Sequence, residues 1–196
     1  MISAAEVSRS IYGAWLFARF NGNGITYFAN TVDGFWRSFW AAVLVLPAYA
    51  ILLILRDTGG NYGVGAGTAF LVHSISYVMG WIAFPFLMYY VGLKFNRDQW
   101  YCRYIAAYNW AVVIQIALLL IVSVITSIGI ISQNAGWTAL RLVVLFMLVY
   151  RGFIAYVGFQ ATLPGAAAIV LIDFSLNVIL EFWSAHLLNL QPSAIG

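Results

Sequence analysis

Residues 164–188 read PGAAAIVLIDFSLNVILEFWSAHLL, an apolar stretch long enough to cross a bilayer as one helix, which takes about 20 residues. Within it Asp173, Asn177 and Glu181 follow one another at i, i+4 spacing. On a helix that spacing puts all three on one side, stacked over about two turns. An ionisable side chain at membrane depth costs roughly 2.5 kcal/mol or more on insertion scales, so an ordinary lipid-facing helix carries no such stripe. The stretch therefore reads as a transmembrane helix whose polar side faces protein, water or a partner.

Composition extends this reading to the whole chain. Of 196 residues, 64% are hydrophobic and 8% charged, and the mean hydropathy is +0.92. Soluble domains carry about 25% charged residues, so the chain is read as an integral membrane protein with a single membrane domain. Its net charge of +3 rests on nine scattered Lys and Arg residues without a basic run, which speaks against nucleic acid as a partner. The single Cys102 rules out an internal disulfide, and no Cys/His cluster offers a metal site, so no cofactor is expected. Glu6, Arg9 and Arg19 interrupt the start of the chain, and no small-residue cleavage pattern follows an apolar core there; no cleavable signal peptide is expected.

Working outward from residue 164, five apolar stretches are long enough to span, near 35–55, 68–93, 104–131, 137–160 and 164–188. The expected fold is all-α: a polytopic bundle of five transmembrane helices over 34–196, preceded by an N-terminal amphipathic interfacial segment over 1–33. Pro47 and Pro85 are expected to kink the first two spans, whereas Pro164 opens the fifth, where its missing N–H costs nothing. No internal repeat of the kind that marks many transporters is evident. Arg9, Arg19, Arg37, Lys94, Arg97 and Arg103 fall on one side of these spans, with Arg56 on the other and Arg141 inside a helix end. That asymmetry predicts a cytoplasmic N-terminus and, after five spans, a C-terminus on the opposite side of the membrane. Trp36, Trp40, Tyr89, Tyr90, Trp100, Tyr101 and Tyr104 would line the cytoplasmic interface, and Trp137 and Trp183 the far one.

Ser3 and Glu6 fit a capping box, and Asn21-Gly22-Asn23-Gly24 ends the segment they begin. Val7, Ile11, Ala14, Trp15 and Ala18 form one stripe of this helix, with Glu6, Arg9 and Ser10 away from it. It is either a helix lying on lipid or a partner, or a lid packed on the bundle.

A short connection near 161–163 makes the last two spans an antiparallel hairpin, in which residues of constant summed number share a depth. Arg151 then falls opposite Asp173, and Arg141 opposite a position near Glu181; both are expected to pair, since an unpaired buried charge is far more costly than a paired one. Gln115 and Asn177 reach similar depth, while His73 and His186 sit toward the outer side. This intramembrane polar cluster has two readings. It is a proton relay or substrate site, or a structural network that fixes helix register with its carboxylates held ionised by the arginines.

Other motifs carry less. Gly63-Val64-Gly65-Ala66-Gly67 lacks the strand and the Lys-Ser/Thr of a phosphate loop and reads as a linker. Ala107/Ala111 and Ser123/Ser127 have the small-xxx-small spacing of packed membrane helices. Trp36-Arg37-Ser38-Phe39-Trp40 reads as an interfacial anchor with a cation–π contact, and the block from Lys94 to Tyr101 as a headgroup anchor. Neither histidine sits in a nucleophile context, so no catalytic residue is assigned.

The five-span pattern and the loop leading into Tyr104-Ile105-Ala106-Ala107-Tyr108-Asn109-Trp110 resemble the bacterial Yip-family membrane proteins. The runs Ala14-Trp15-Leu16-Phe17-Ala18-Arg19 and Gly34-Phe35-Trp36-Arg37-Ser38-Phe39-Trp40 resemble small alphaproteobacterial integral membrane proteins. The resemblance implies the five-span topology and a bacterial inner (cytoplasmic) membrane location, with the N-terminus cytoplasmic and the C-terminus periplasmic, and brings no functional residue with it. The expected role is non-enzymatic: an accessory, assembly or membrane-organising subunit whose partners are membrane lipids and other membrane proteins or further copies of itself. The alternative is a small oligomeric transporter or channel for a proton, ion or small solute that uses the polar cluster.

Overall fold

The computed structural model describes residues 2–57 and 64–188. Helix is the only regular structure among them, and five segments are long and apolar enough to cross a membrane. The chain runs through α1 (Ala4–Ala18), a 3-10 segment (Gly22–Tyr27), α2 (Val32–Ser38), α3 (Trp40–Asp57) and α4 (Ala66–Lys94). A second 3-10 turn (Asp98–Trp100) leads into α5 (Tyr101–Ser127), α6 (Gln133–Gly158) and α7 (Leu163–Leu187).

The helix starts are chemically specified. Side-chain oxygens of Ser3, Thr31, Ser132 and Thr162 accept from the backbone N–H three residues on, at 3.0–3.3 Å, as N-caps do. The expected capping box is only half made: Ser3 caps Glu6 N, but the Glu6 carboxylate leaves the helix end for Arg37 Nη1 at 2.9 Å. Asp33, one turn before Arg37, takes its Nε at 2.8 Å, so the guanidinium expected on an aromatic face lies between two carboxylates instead.

The first span is not one helix. It breaks at Phe39, between α2 and α3, where the Ser38 hydroxyl donates to Phe35 O at 2.6 Å and competes with the helical backbone pattern. The helices α3 and α4 each run on through their internal prolines, Pro47 and Pro85. Of the glycine-rich linker, only the residues from Val64 on are described; Gly63 lies outside them.

The centre of the bundle is α5, whose first half is buried all round: Tyr104 through Ala111 are each at most 7% exposed. Around it pack α1, α2, α3 and α6, and Ala106, Ala107 and Ala111 keep the side chains small where neighbours come close. The other side of the ring is closed by α7 against α4 and α6. Outward faces carry large apolar side chains such as Phe70, Phe86 and Phe182, as lipid contact requires.

The lid reading of α1 is the observed one. Ser10, Gly13, Ala14 and Phe17 are buried against α5 and α6, and Tyr150 donates to Ala14 O at 2.8 Å. Trp15, placed on the inward stripe by the sequence, is half exposed; Phe17 takes that place and packs edge-on against Phe153. The reason is local. Gly24 sits so close to α1 that a Cβ there would lie 2.6 Å from Gly13 O, and a Cβ on Gly13 would lie 2.7 Å from Tyr27 Cβ. These two glycines set the rotation of α1 by letting the 3-10 segment press on the Gly13 side.

Candidate binding chamber

The two last spans form the expected hairpin. The turn between α6 and α7 places Gln160 at φ 52, and Arg97 Nη1 from the connection between α4 and α5 donates to the carbonyls of Phe159 and Gln160. With the turn fixed, Arg151 on α6 meets Asp173 on α7 through Nη1 and Oδ2, and Asp173 is 2% exposed.

The other oxygen of this carboxylate is engaged as well. Oδ1 accepts from the Tyr108 hydroxyl at 2.7 Å and from Asn177 Nδ2 at 3.2 Å, and Asn177 also bonds Asp173 O at 2.7 Å. The Arg151 guanidinium carbon lies 5.2 Å from the centre of the Tyr108 ring, adding a cation–π contact. Its Nε and Nη2 donate to Gln115 Oε1 at 3.2 and 2.7 Å. An ion pair buried this deeply needs these extra hydrogen bonds to offset the desolvation of both charges.

The expected partnership of Arg141 with Glu181 does not form. Arg37 pairs with Glu6 and Asp33, and Arg151 with Asp173, whereas Arg141 is in none of these pairs. Equal depth is not equal azimuth. Arg141 lies ten positions from Arg151, about 80° short of three full turns at about 100° per residue. Arg141 accordingly points outward and is exposed. Glu181, eight residues past Asp173, is turned about 80° from it by the same geometry and lines a half-open chamber between the spans, where it remains exposed.

That chamber has a volume of about 460 Å³ and is lined by all five spans. Tyr108 and Arg151 stand at the end nearer α1; His73, Glu181 and Ser184 stand toward the end where α3 and α7 finish and α4 begins. At that far end Leu188 packs with Ala69 and Val72. The side of α4 that faces in, His73-Ser76-Tyr77-Gly80-Trp81, follows the i, i+3, i+4, i+7, i+8 rule of a single helix face. Between α3 and α4 the wall is aromatic: the Tyr49 and Tyr77 rings are 4.8 Å apart and the Tyr77 hydroxyl donates to Ala42 O at 2.5 Å.

Of the polar residues singled out in the sequence, Arg151, Asp173, Asn177 and Gln115 come together as one network. His73 and Glu181 share the chamber with it, whereas Arg141 and His186 are exposed and outside the lining. The sequence reading passed over Tyr108, Ser76 and Tyr77. Tyr108 sits seven residues before Gln115, two turns down the same face, which was the available signal. No metal-binding group of three His, Cys, Asp or Glu side chains exists among the described residues.

Compared with family models, curated proteins and solved structures, the chain has no match.

The chemistry of the chamber is thus read from its own atoms. Its volume lies in the range of small-molecule sites, about 300–1,000 Å³, and its lining has their usual character, mostly apolar with a few fixed polar groups.

Proposed function

We propose that this is a non-enzymatic integral membrane protein that holds a small, largely apolar solute inside its five-span bundle. The observation that carries the reading is the chamber of about 460 Å³ to which every span contributes, with the Arg151–Asp173 pair at one end of it. A bundle whose sole task was packing would bring its helices together along their length and leave no such space.

The Lys and Arg asymmetry of the sequence and its likeness to bacterial Yip-family proteins support a bacterial inner-membrane setting with the N-terminus cytoplasmic and the C-terminus periplasmic. In that setting the polar network lies near mid-membrane and the chamber extends toward the periplasmic half. Tyr12 and Trp15 remain about half exposed on α1, which suits a helix that touches lipid while it covers the bundle. The likeness to Yip-family proteins is consistent with this topology and adds no activity.

Gly80 gives a direct test, because it lines the chamber and a Cβ there meets nothing within 4 Å. Native mass spectrometry of protein released gently from its membrane is expected to show a retained small molecule on the wild type and none on Gly80→Leu. Identical spectra for the two proteins reject the reading.

A second role, as an accessory or assembly subunit acting through helix and lipid contacts, is favoured by the internal bonding of the buried ion pair. Both carboxylate oxygens of Asp173 are engaged within the bundle, as in a network that only fixes register. A pull-down in mild detergent that recovers a stoichiometric membrane partner, or a second copy of the chain, supports this role. Loss of solute flux in proteoliposomes for Asp173→Asn or Glu181→Gln at unchanged protein level counts against it.

A further inference from the structure

Gln115 is 1% exposed and lines the chamber, yet its amide nitrogen has no hydrogen-bond partner. The orientation of that amide is not arbitrary. Arginine offers only donors, so the side-chain oxygen must face Arg151, and both N–H groups of the amide then point elsewhere. A buried donor left without a partner is costly, and native interiors rarely keep one without a reason.

The orphaned amide is not alone. Ser76 Oγ, on the α4 wall of the same chamber, is also buried and unpartnered. Arg151 has five N–H donors, of which the contacts to Asp173 and Gln115 use three. Asp173, the network's acceptor, already has both oxygens engaged by Tyr108, Asn177 and Arg151. The chamber's polar end therefore has donors to spare and has already spent its strongest acceptor.

Charge narrows the class further. The Arg151 guanidinium is matched by Asp173, and the remaining acidic side chain of the lining, Glu181, adds no positive charge. Beside Gln115 and Arg151 an anionic headgroup would enter as an unmatched charge among apolar walls, and a cation there would meet donors, since the Glu181 carboxylate stands toward the other end of the chamber. A neutral oxygen acceptor meets neither penalty.

We propose that the chamber takes a neutral amphiphile with a carbonyl-type acceptor head, seated against the Gln115 amide and the free Arg151 N–H groups, with its hydrocarbon body along the apolar walls. This rests on the reading of the chamber as a solute site, and it assigns that site a chemical class. Ser76 supplies a further donor from α4, and Trp81 and Phe174 supply flat apolar surface beside it.

The test uses the full chain in lipid nanodiscs and benzophenone, a neutral diaryl ketone that cross-links to neighbouring C–H groups under near-ultraviolet light. Labelling is expected in the chamber, with Met147 on the α6 wall a prime acceptor, and is mapped by peptide mass spectrometry. Unlabelled 2-dodecanone, dodecane and dodecanoate then compete. The ketone is expected to compete about tenfold better than either of the others, the size of one good hydrogen bond in affinity. Gln115→Glu keeps an oxygen toward Arg151 and removes the amide donors; Ser76→Ala removes the second orphan at a distance from the ion pair. Each is expected to weaken the ketone by several-fold and leave dodecane unchanged, and Ser76→Ala keeps the test readable if Gln115→Glu does not fold. Equal competition by all three, with chamber labelling still abolished by Gly80→Leu, overturns the carbonyl class and leaves the solute site standing. Preference for dodecanoate overturns it in favour of an anion. Labelling indifferent to Gly80→Leu removes the solute site itself.

Discussion

Tyr108 and Asp173, on α5 and α7, are joined by a 2.7 Å hydrogen bond from the phenol to Oδ1, across 65 positions of sequence. The bond ties the buried central helix to the last one at the depth where Asp173 also meets Arg151. Tyr108→Phe keeps the ring under the guanidinium and removes only the hydroxyl. It is expected to lower stability by about 1.5–3 kcal/mol, as for a hydrogen bond to a charged group, read from thermal or denaturant unfolding in detergent. Asp173→Asn leaves the Arg151 charge buried without its counterion and is expected to cost more, about 3–5 kcal/mol. Adding Arg151→Met to Asp173→Asn should recover part of that loss; a double variant as unstable as the sum of its parts would contradict the pairing.

Arg141 and Glu181 provide the contrast. They share a depth and lack a contact, so a double-mutant cycle on Arg141→Gln and Glu181→Gln is expected to show coupling within about 0.5 kcal/mol of zero, as for independent sites. The same cycle on Arg151 and Asp173 should exceed about 1 kcal/mol.

Gly13 and Gly24 face each other where α1 meets the 3-10 segment, and neither position has room for a methyl group. Gly13→Ala and Gly24→Ala are each expected to destabilise by about 1–3 kcal/mol through overpacking, despite the better helix propensity of alanine in α1. Protease sensitivity within residues 19–31 is the sharper readout, because displacement of α1 exposes that segment first. Gly80→Ala, at an open position in the middle of α4, should leave stability unchanged or raised.

The Tyr77 hydroxyl bond to Ala42 O closes the seam between α3 and α4. Tyr77→Phe is expected to quicken entry of membrane-borne probes into the chamber at little cost in stability. A cysteine at Ser184 in a Cys102→Ser background, labelled with a lipid-soluble maleimide, reports the rate. No change in that rate would show that solutes enter by another path.

The all-helical fold was legible because hydropathy and span length report on the lipid solvent, which acts on every residue at once. Depth was legible as well: the summed numbering of the α6–α7 hairpin brought Arg151 to Asp173. Azimuth was legible only one turn at a time. Phase error in a helical argument grows with separation, and over the ten residues from Arg151 to Arg141 it turned an expected pair into two side chains that miss each other. The chamber left a fainter trace, since Ser76, Tyr77 and Tyr108 are common in membrane helices and become a site only when five spans place them around one space. The Trp15 assignment failed for a different reason. Its inward stripe was read from hydrophobicity, while the rotation of α1 is set by the two glycines that let backbone approach backbone.

The bond from Tyr150 to Ala14 joins positions 136 residues apart, so the seat of α1 is incomplete until most of α6 has been synthesised. At about 5–20 residues per second, a ribosome needs roughly 7–30 s to cover that interval. Until α5 has been made, Phe17 and Ala14 lack the helix that covers most of their inner side, and the Tyr150 contact from α6 completes the seat last. The exposed Trp15 is the apolar group through which α1 can wait at the membrane surface in the meantime, so Trp15→Ser is expected to reduce the yield of correctly assembled protein more than the stability of the finished fold.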